Sequence, residues 1–263
     1  MASDIQAAGN NAGSSLLTDI DPPPVRLINP LATSSFLLIG DHAGRRIPAM
    51  LGTLGIGAGD ATRHIAWDIG VATLGERLAA RIDAVFVAQV YSRLVVDCNR
   101  GPGAHDAIPP VSDGTVIPGN EGLSDADRAA RFAAIHEPYQ RAIAAALDRR
   151  DAAEGGEQTL IVALHSFTPK MGSSARPWQI GILHDAGDTS FAARCLAWLR
   201  AQGDLTVGDN EPYRMDQIDY TIPRHAYPAN RPYVEIEIRQ DLLADDAGIN
   251  GWVDRLAAML AGA

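Results

Sequence analysis

The chain has 263 residues, of which 46% are hydrophobic and 21% are charged, a composition typical of a soluble globular protein with a full core. Its formal net charge of −10 argues against nucleic acid as a partner, because phosphate binding needs a basic surface. No stretch approaches the roughly 18 consecutive apolar residues of a membrane helix, so no membrane partner is expected either.

The cysteine content and the N-terminal residues predict where the protein works. Only Cys98 and Cys195 are present, so no disulfide framework is implied. The apolar surroundings of Cys98 favour a buried side chain over a reactive thiol. Residues 1–30 lack the basic start and apolar core of a secretory signal. These features predict a cytoplasmic protein that acts on a small molecule, and they favour no particular oligomeric state.

The pattern of apolar residues predicts an α/β fold. Residues 1–30 are expected to form a flexible N-terminal tail, and residues 31–263 a single catalytic domain. In chain order, the pattern predicts a strand at 35–39, a helix at 68–82, strands at 85–90 and 94–96, a helix at 124–150, strands at 160–164 and 179–183, a helix at 191–201, a strand at 233–238 and a helix at 252–260. Residues 101–122 show no periodicity and predict a long functional loop. Strands that alternate with helices indicate a largely parallel sheet covered on both faces.

Two histidines stand at the carboxyl ends of predicted strands, where open α/β sheets bind their ligands. His42 follows the first strand, and His165 follows the apolar run 160–164. A single histidine more often satisfies a buried hydrogen bond, but two at equivalent strand ends favour a shared metal ion. Neutral imidazole is a common zinc ligand, and a catalytic zinc site needs three protein ligands and one open position.

The sequence offers two candidates for the third ligand. Asp68 begins the helix predicted at 68–82, where its alternative role is to cap the exposed backbone amides. His64, four residues earlier, is the competing candidate. No carboxylate lies in the turn that follows His42.

Polar residues flank the apolar run 94–96. Arg93 precedes it, whereas Asn99 and Arg100 follow it, and guanidinium groups bind carboxylates in a bidentate manner. The alternative is an internal ion pair with Asp97, which is expected for Arg93 rather than for Arg100.

Two carboxylates alternate along the last predicted strand. Glu235 and Glu237 project from the same face of that strand. An isolated pair of this kind would lie in solvent on an edge strand. Near a metal ion, however, a carboxylate takes a proton from water and returns it to the leaving amine. Tyr220 and Arg224, just before the strand, are candidate pocket residues.

Other catalytic plans find little support. The chain contains no Gly-x-Ser-x-Gly elbow, no Walker phosphate loop and no dinucleotide glycine fingerprint. Ser166, next to His165, stays open as a nucleophile, although nothing presents it on a strained turn.

Four segments together resemble the N-formylglutamate amidohydrolase family: residues 41–48, 92–100, 164–166 and 236–240. They occur in the family's order and extend over most of residues 35–245. The Ser92-Arg93 pair followed by Asp97-x-Asn99-Arg100 is the most specific of them.

The family is distantly similar to zinc carboxypeptidases and aspartoacylases. This resemblance implies a three-layer α/β/α sandwich around a mixed, largely parallel sheet, with one zinc ion or another divalent metal as cofactor. It also implies zinc binding by His42 and His165, a general base at Glu237, and an α-carboxylate site at Asn99 and Arg100. Those relatives carry a glutamate where Arg45 stands here, so Asp68 takes the place of the third ligand. The segments around Arg176 and residues 220–224 are similar to substrate-side loops of the family.

The expected function is therefore that of a zinc-dependent amidohydrolase that cleaves the N-formyl, or another N-acyl, amide of an acidic amino acid such as N-formylglutamate. The alternative enzymes are a metallocarboxypeptidase-like hydrolase and an N-acetyl amino-acid deacylase. The alternative without catalysis is a metal-free module that binds an amino-acid-like ligand.

Overall fold

A computed structural model describes residues 16–152, 158–216 and 218–263. Its strands are β1 (Val25–Ile28), β2 (Phe36–Gly40), β3 (Val85–Gln89), β4 (Val111–Ser112), β5 (Thr115–Val116), β6 (Leu160–Phe167), β7 (Lys170–Met171), β8 (Ser174–Ala175), β9 (Ile180–Leu183), β10 (Val207–Asp209) and β11 (Tyr233–Arg239). Its α-helices are α1 (Val71–Arg81), α2 (Asp125–Arg131), α3 (Glu137–Asp151), α4 (Ser190–Gln202), α5 (Thr221–His225) and α6 (Asp246–Gly262). None of the helices in the described part of the chain combines the length and apolarity that crossing a membrane requires.

Seven strands form one mixed sheet in the order β1-β3-β2-β6-β11-β9-β10. The four central strands β3, β2, β6 and β11 run parallel, whereas β1 is antiparallel to β3, and β9 is antiparallel to β11. Parallel strands buried on both faces read as continuous apolar runs, as β2 does with its sequence FLLIG.

Helices cover both faces of this sheet and enclose two apolar cores. On one face, Leu37 and Ile39 of β2 share a cluster with Ile143 of α3. On the other face, Leu38 belongs to a cluster that includes residues of α1, α4 and α6. The arrangement confirms the expected three-layer α/β/α fold around a mixed, largely parallel sheet.

The N-terminal segment differs from the expected flexible tail over residues 1–30. Residues 1–15 of that expectation lie outside the described residues, but Val25–Ile28 forms the edge strand β1. The strand is held by antiparallel pairing with β3, in which Val25 lies opposite Gln89. Val25 packs against the core on one face of the sheet, and Ile28 packs against the core on the other face. These apolar contacts were not evident from the composition of residues 1–30.

Two predicted elements have other conformations in the structure. Leu94–Val96 is not a strand but a buried turn. The Leu94 N–H donates to the Ser92 hydroxyl, and the Val95 N–H donates to the Ser92 carbonyl oxygen. The single helix predicted at 124–150 is divided by one π-helical turn, Phe132–His136, between α2 and α3.

The loop predicted at 101–122 contains the short β4-β5 hairpin. The buried side chain of Arg131 connects this loop to the rest of the fold. The Arg131 guanidinium donates to the Val95 carbonyl at 3.0 Å, the Asn120 side chain at 2.6 Å and the Gly119 carbonyl at 2.7 Å. The arginine is 2% exposed, and burial lowers its pKa to about 10. This clamp fixes the loop beside the carboxyl edge of the sheet.

The backbone around Gly44 packs closely along the end of β3, since the Arg46 N–H donates to the Val90 carbonyl at 3.2 Å. A Cβ atom at Gly44 would overlap that same carbonyl oxygen. We expect Gly44→Ala to lower the free energy of unfolding by about 1–3 kcal/mol, as overpacking generally does. Gly59→Ala is the matched control, because Gly59 has an α-region φ of −63° and nothing within 4 Å of its ideal Cβ. Urea unfolding of both variants measures the difference, and equal stability would contradict the prediction.

Candidate functional site

Parallel pairing brings the two predicted histidines to the same edge of the sheet. β2 and β6 are neighbours, with Ile39 opposite Ala163, so their carboxyl ends point the same way. His42 stands two residues after β2, and His165 lies near the end of β6. Their ring centroids are 5.1 Å apart, and both residues are 3% exposed.

Asp68 joins these histidines, and it does not cap the helix that follows. The first turn of α1 has Gly70 at its N-cap and no side-chain cap, so the capping alternative is wrong. The Asp68 N–H instead donates to the His42 carbonyl at 2.9 Å, which holds its side chain between the rings. Asp68 Oδ2 lies 2.9 Å from His165 Nδ1 and 3.4 Å from His42 Nδ1.

The donor atoms fit a single divalent ion. One ligand atom from each of His42, Asp68 and His165 lies within 4.8 Å of the other two. A tetrahedral zinc ion with bonds of roughly 2.0–2.1 Å places its ligand atoms about 3.3 Å apart. His42 Nδ1 is also fully buried without a hydrogen-bond partner among the described residues, as a ligand atom facing an ion would be. His64, the competing ligand, lies outside this group, with Nε2 3.5 Å from Asp113.

A second carboxylate stands behind each imidazole. His42 Nε2 is 2.7 Å from Asp97 Oδ1, and His165 Nε2 is 3.5 Å from Asp41 Oδ2. Asp41 is fixed in turn by the Thr221 hydroxyl, which donates to it at 2.7 Å. Carboxylates in this position orient metal-binding imidazoles. The buried ring nitrogens without a hydrogen-bond partner among the described residues are Nδ1 of His42 and Nε2 of His165.

Opposite charges nearby favour the ionised form of two buried carboxylates, those of Asp97 and Asp68. Burial alone would raise the pKa of Asp97, but the facing Arg93 and His42 outweigh it and hold that pKa well below its usual range. For Asp68 as well, burial is outweighed, by His42 and His165, and the net effect lowers the pKa.

A cavity of about 510 Å³ opens above the triad and contains both glutamates of β11. Since β11 lies between β6 and β9, its alternating carboxylates face this cavity, and the alternative of a solvent-exposed edge strand is wrong. Glu235 and Glu237 are 5% and 6% exposed. Burial raises the pKa of Glu235 to about 7 and that of Glu237 well above its usual value.

The predicted substrate-binding residues of the 92–100 segment line the cavity, but they are already partnered. Arg93 forms the expected ion pair with Asp97 at 2.7 Å. Arg100, for which no ion pair was expected, contacts Asp106 at 2.9 Å and Asp219 at 3.0 Å.

Asn99 lines the cavity too, with its side chain bound to the start of α5. Its Oδ1 accepts the backbone N–H groups of Tyr220 at 3.0 Å and Thr221 at 2.9 Å. Its Nδ2 donates to Asp219 at 3.3 Å. The amide therefore positions one wall of the cavity.

The remaining predicted residues lie outside the cavity wall. Arg176 reaches it indirectly, because its guanidinium donates to the Tyr213 hydroxyl at 2.9 Å and stacks on the same ring. Arg224 donates to the Tyr220 hydroxyl at 2.7 Å, and neither of these two side chains lines the cavity.

Sequence reasoning missed residues 211–216 and Asp219, which supply Tyr213, Arg214 and two aspartates to the cavity wall. The run 211–216 packs against β9 and β10 at Gly181 and Gly208, where an added Cβ would overlap the Glu211 carbonyl oxygen. Glycines inside strands often mark such close approaches of another backbone, and these two were the available signal.

Comparison with known proteins shows the family to which this chain belongs. Residues 34–244 match the N-formylglutamate amidohydrolase family. The chain belongs to this family. A solved gene product of Agrobacterium tumefaciens is 35% identical, with a TM-score of 0.89 over 94% of this chain and 96% of that one. The N-formylglutamate amidohydrolase of Ralstonia eutropha shares the fold at 20% identity, with a TM-score of 0.64 over 91% and 96% of the two chains. No curated protein sequence matches the chain at a significant level.

The carboxylate behind His42 offers a test of the metal site. Asp97→Asn removes the charge that orients the ring, so we expect zinc affinity to fall by about 10- to 100-fold. Asp106→Asn is the control, since Asp106 contacts Arg100 and neither histidine. Competition with a chromogenic chelator measures both dissociation constants. Equal affinities in the two variants would contradict the role given to Asp97.

Proposed function

We propose that this amidohydrolase is zinc-dependent and cleaves the N-formyl, or another N-acyl, amide of an acidic amino acid such as N-formylglutamate. The observation that carries the proposal is the convergence of His42, Asp68 and His165 in one cavity with Glu237, whose Oε2 has no hydrogen-bond partner among the described residues. Membership of the N-formylglutamate amidohydrolase family supports the choice of substrate.

The triad residues would hold the ion through one ring nitrogen of each histidine and one oxygen of Asp68. When bound there, zinc polarises the amide carbonyl and acidifies water.

Glu237 moves the proton in this scheme. Its register partner on β6 is His165, so the carboxylate stands level with the triad. Its Oε2 is buried and has no hydrogen-bond partner among the described residues, which leaves it free for water. Its raised pKa suits a group that takes a proton from water and then holds it for the leaving nitrogen.

The arginines would orient the substrate's carboxylates. Arg93 and Arg100 each retain N–H groups beyond those used by their aspartates, and Arg214 adds a further guanidinium to the cavity wall. Asn99 would support this wall through its bonds to α5. A cytoplasmic location stays a prediction.

Removal of the proton acceptor tests the role of Glu237. We expect Glu237→Gln to bind zinc normally and to lose turnover by about 10²- to 10⁴-fold, the usual contribution of general acid–base catalysis. Glu76→Gln is the control, because Glu76 lies on α1 in an exposed ion pair with Arg26. Formate release and zinc content are measured on the same preparations. Full activity of the Glu237 variant would rule out the assigned role.

Removal of the ion tests the metal and the reaction together. We expect dialysis against a chelator to abolish formate release from N-formylglutamate and added zinc to restore it. N-acetylglutamate and a dipeptide ending in glutamate serve as competing substrates for the deacylase and carboxypeptidase alternatives. Tight ligand binding without metal and without turnover would instead identify a binding module.

A further inference from the structure

Glu235 is a buried carboxylate for which the proposed mechanism has no use. It lies on β11 opposite Ala163 and Leu183, whereas Glu237 lies opposite His165 and Gly181. Two residues along a strand span about 7 Å. Glu235 therefore lies one step deeper in the cavity than the level of the triad and Glu237.

The surroundings of Glu235 provide no partner for its carboxyl group. The residue is 5% exposed and lines the cavity, yet it forms no hydrogen bond or ion pair with any residue that the structure describes. The buried aspartates near the site differ in this respect. Asp41 accepts from Thr221, and Asp97 is bound by Arg93.

The charged side chains that act on Glu235 are the two histidines of the triad, Asp219 and Asp41. Its carboxylate oxygens are not among the fully buried atoms that lack a partner in the described part of the chain, so they open onto the cavity. A ligand that fills the cavity can therefore reach them with a hydrogen-bond donor.

The chemistry of an N-acyl amino acid identifies that donor. A trans amide is planar, and its C=O and N–H groups point in opposite directions. A substrate whose carbonyl oxygen lies at the level of the triad thus directs its N–H away from the triad. Glu235 lies on the same strand face as Glu237, about 7 Å along the strand from it, and lines the cavity as an acceptor without a partner among the described residues.

We infer that Glu235 accepts a hydrogen bond from the N–H of the scissile amide and so orients the substrate for attack. The inference rests on the proposed function and gives the two carboxylates of β11 different roles. Glu237 handles the proton of the attacking water, and Glu235 holds the nitrogen side of the bond. An oxygen of the carboxyl group can accept this bond in either protonation state.

The role predicts a specific selectivity against substrates without the N–H. N-formyl-N-methylglutamate carries a methyl group in its place and keeps both carboxylates. In the inactive Glu237→Gln background, we expect N-formylglutamate to bind about 10- to 100-fold more tightly than the methylated ligand, the effect of one hydrogen bond to a charged group. Adding Glu235→Leu should bring this ratio close to one, because leucine accepts no hydrogen bond and tolerates a methyl group. Isothermal titration calorimetry measures both dissociation constants.

Glu235→Gln separates this role from a general structural one. The glutamine oxygen still accepts an N–H, so this variant should keep most of the selectivity that Glu235→Leu loses. In the otherwise native enzyme, kcat/KM for N-formylglutamate should fall by about 10- to 100-fold in the leucine variant and much less in the glutamine variant. Zinc content and thermal unfolding are recorded for both variants.

The outcomes distinguish this inference from the proposed function. If Glu235→Leu weakened the binding of both ligands by the same factor, the ratio of their dissociation constants would not change. That result would overturn the role of Glu235 while the hydrolase assignment stands. No formate release from N-formylglutamate by the zinc-loaded native enzyme would overturn the proposed function, and this inference with it.

Discussion

The register between β2 and β6 is the constraint on which the site depends. The parallel pairing of Ile39 with Ala163 sets how far each strand extends at the carboxyl edge, and it thereby sets the separation of His42 and His165. A slip of one residue would turn His165 to the opposite face of the sheet, because side chains alternate along a strand. Both strands are buried on both faces, so the apolar residues beside the histidines fix this register firmly.

The site concentrates negative charge in the interior of the protein. Asp41, Asp68, Asp97, Glu235 and Glu237 are all at most 6% exposed. Buried charges are costly unless opposite charges and hydrogen bonds compensate them. Arg93 and the two imidazoles supply part of that compensation, and a divalent cation held by the triad would supply the rest.

The sequence predicts those parts of the site that depend on local pattern. His42 and His165 could be recognised because an apolar strand precedes each of them. Glu235 and Glu237 could be placed on one strand face, but the same alternation fits an edge strand and a central one. Only the strand order, which puts β11 between β6 and β9, decides between these two positions. Strand order is set by packing across the whole fold, and a local window does not contain it.

Tertiary contacts account for the other differences. Leu94–Val96 has the composition of a strand, yet Ser92 closes it into a turn whose side chains are buried by the loop that Arg131 clamps. The ion pairs of Arg100 involve Asp106 and Asp219, and the second of these is more than a hundred residues away in sequence. Residues 211–216 have no periodic pattern, and they reach the cavity because Gly181 and Gly208 leave room for the backbone of Glu211.

The layers of the fold separate the chemistry from most of the scaffold. The face covered by α1, α4 and α6 is an apolar core, and its helices contribute no side chain to the cavity. The cavity wall comes instead from strand ends and from residues 93–100, 212–216 and 219. Changes in residues 212–216 would alter this wall without moving β2, β6 or β11. The triad and the two glutamates therefore lie on or beside the packed strands of the sheet, whereas much of the wall around them comes from loops, which tolerate change more readily.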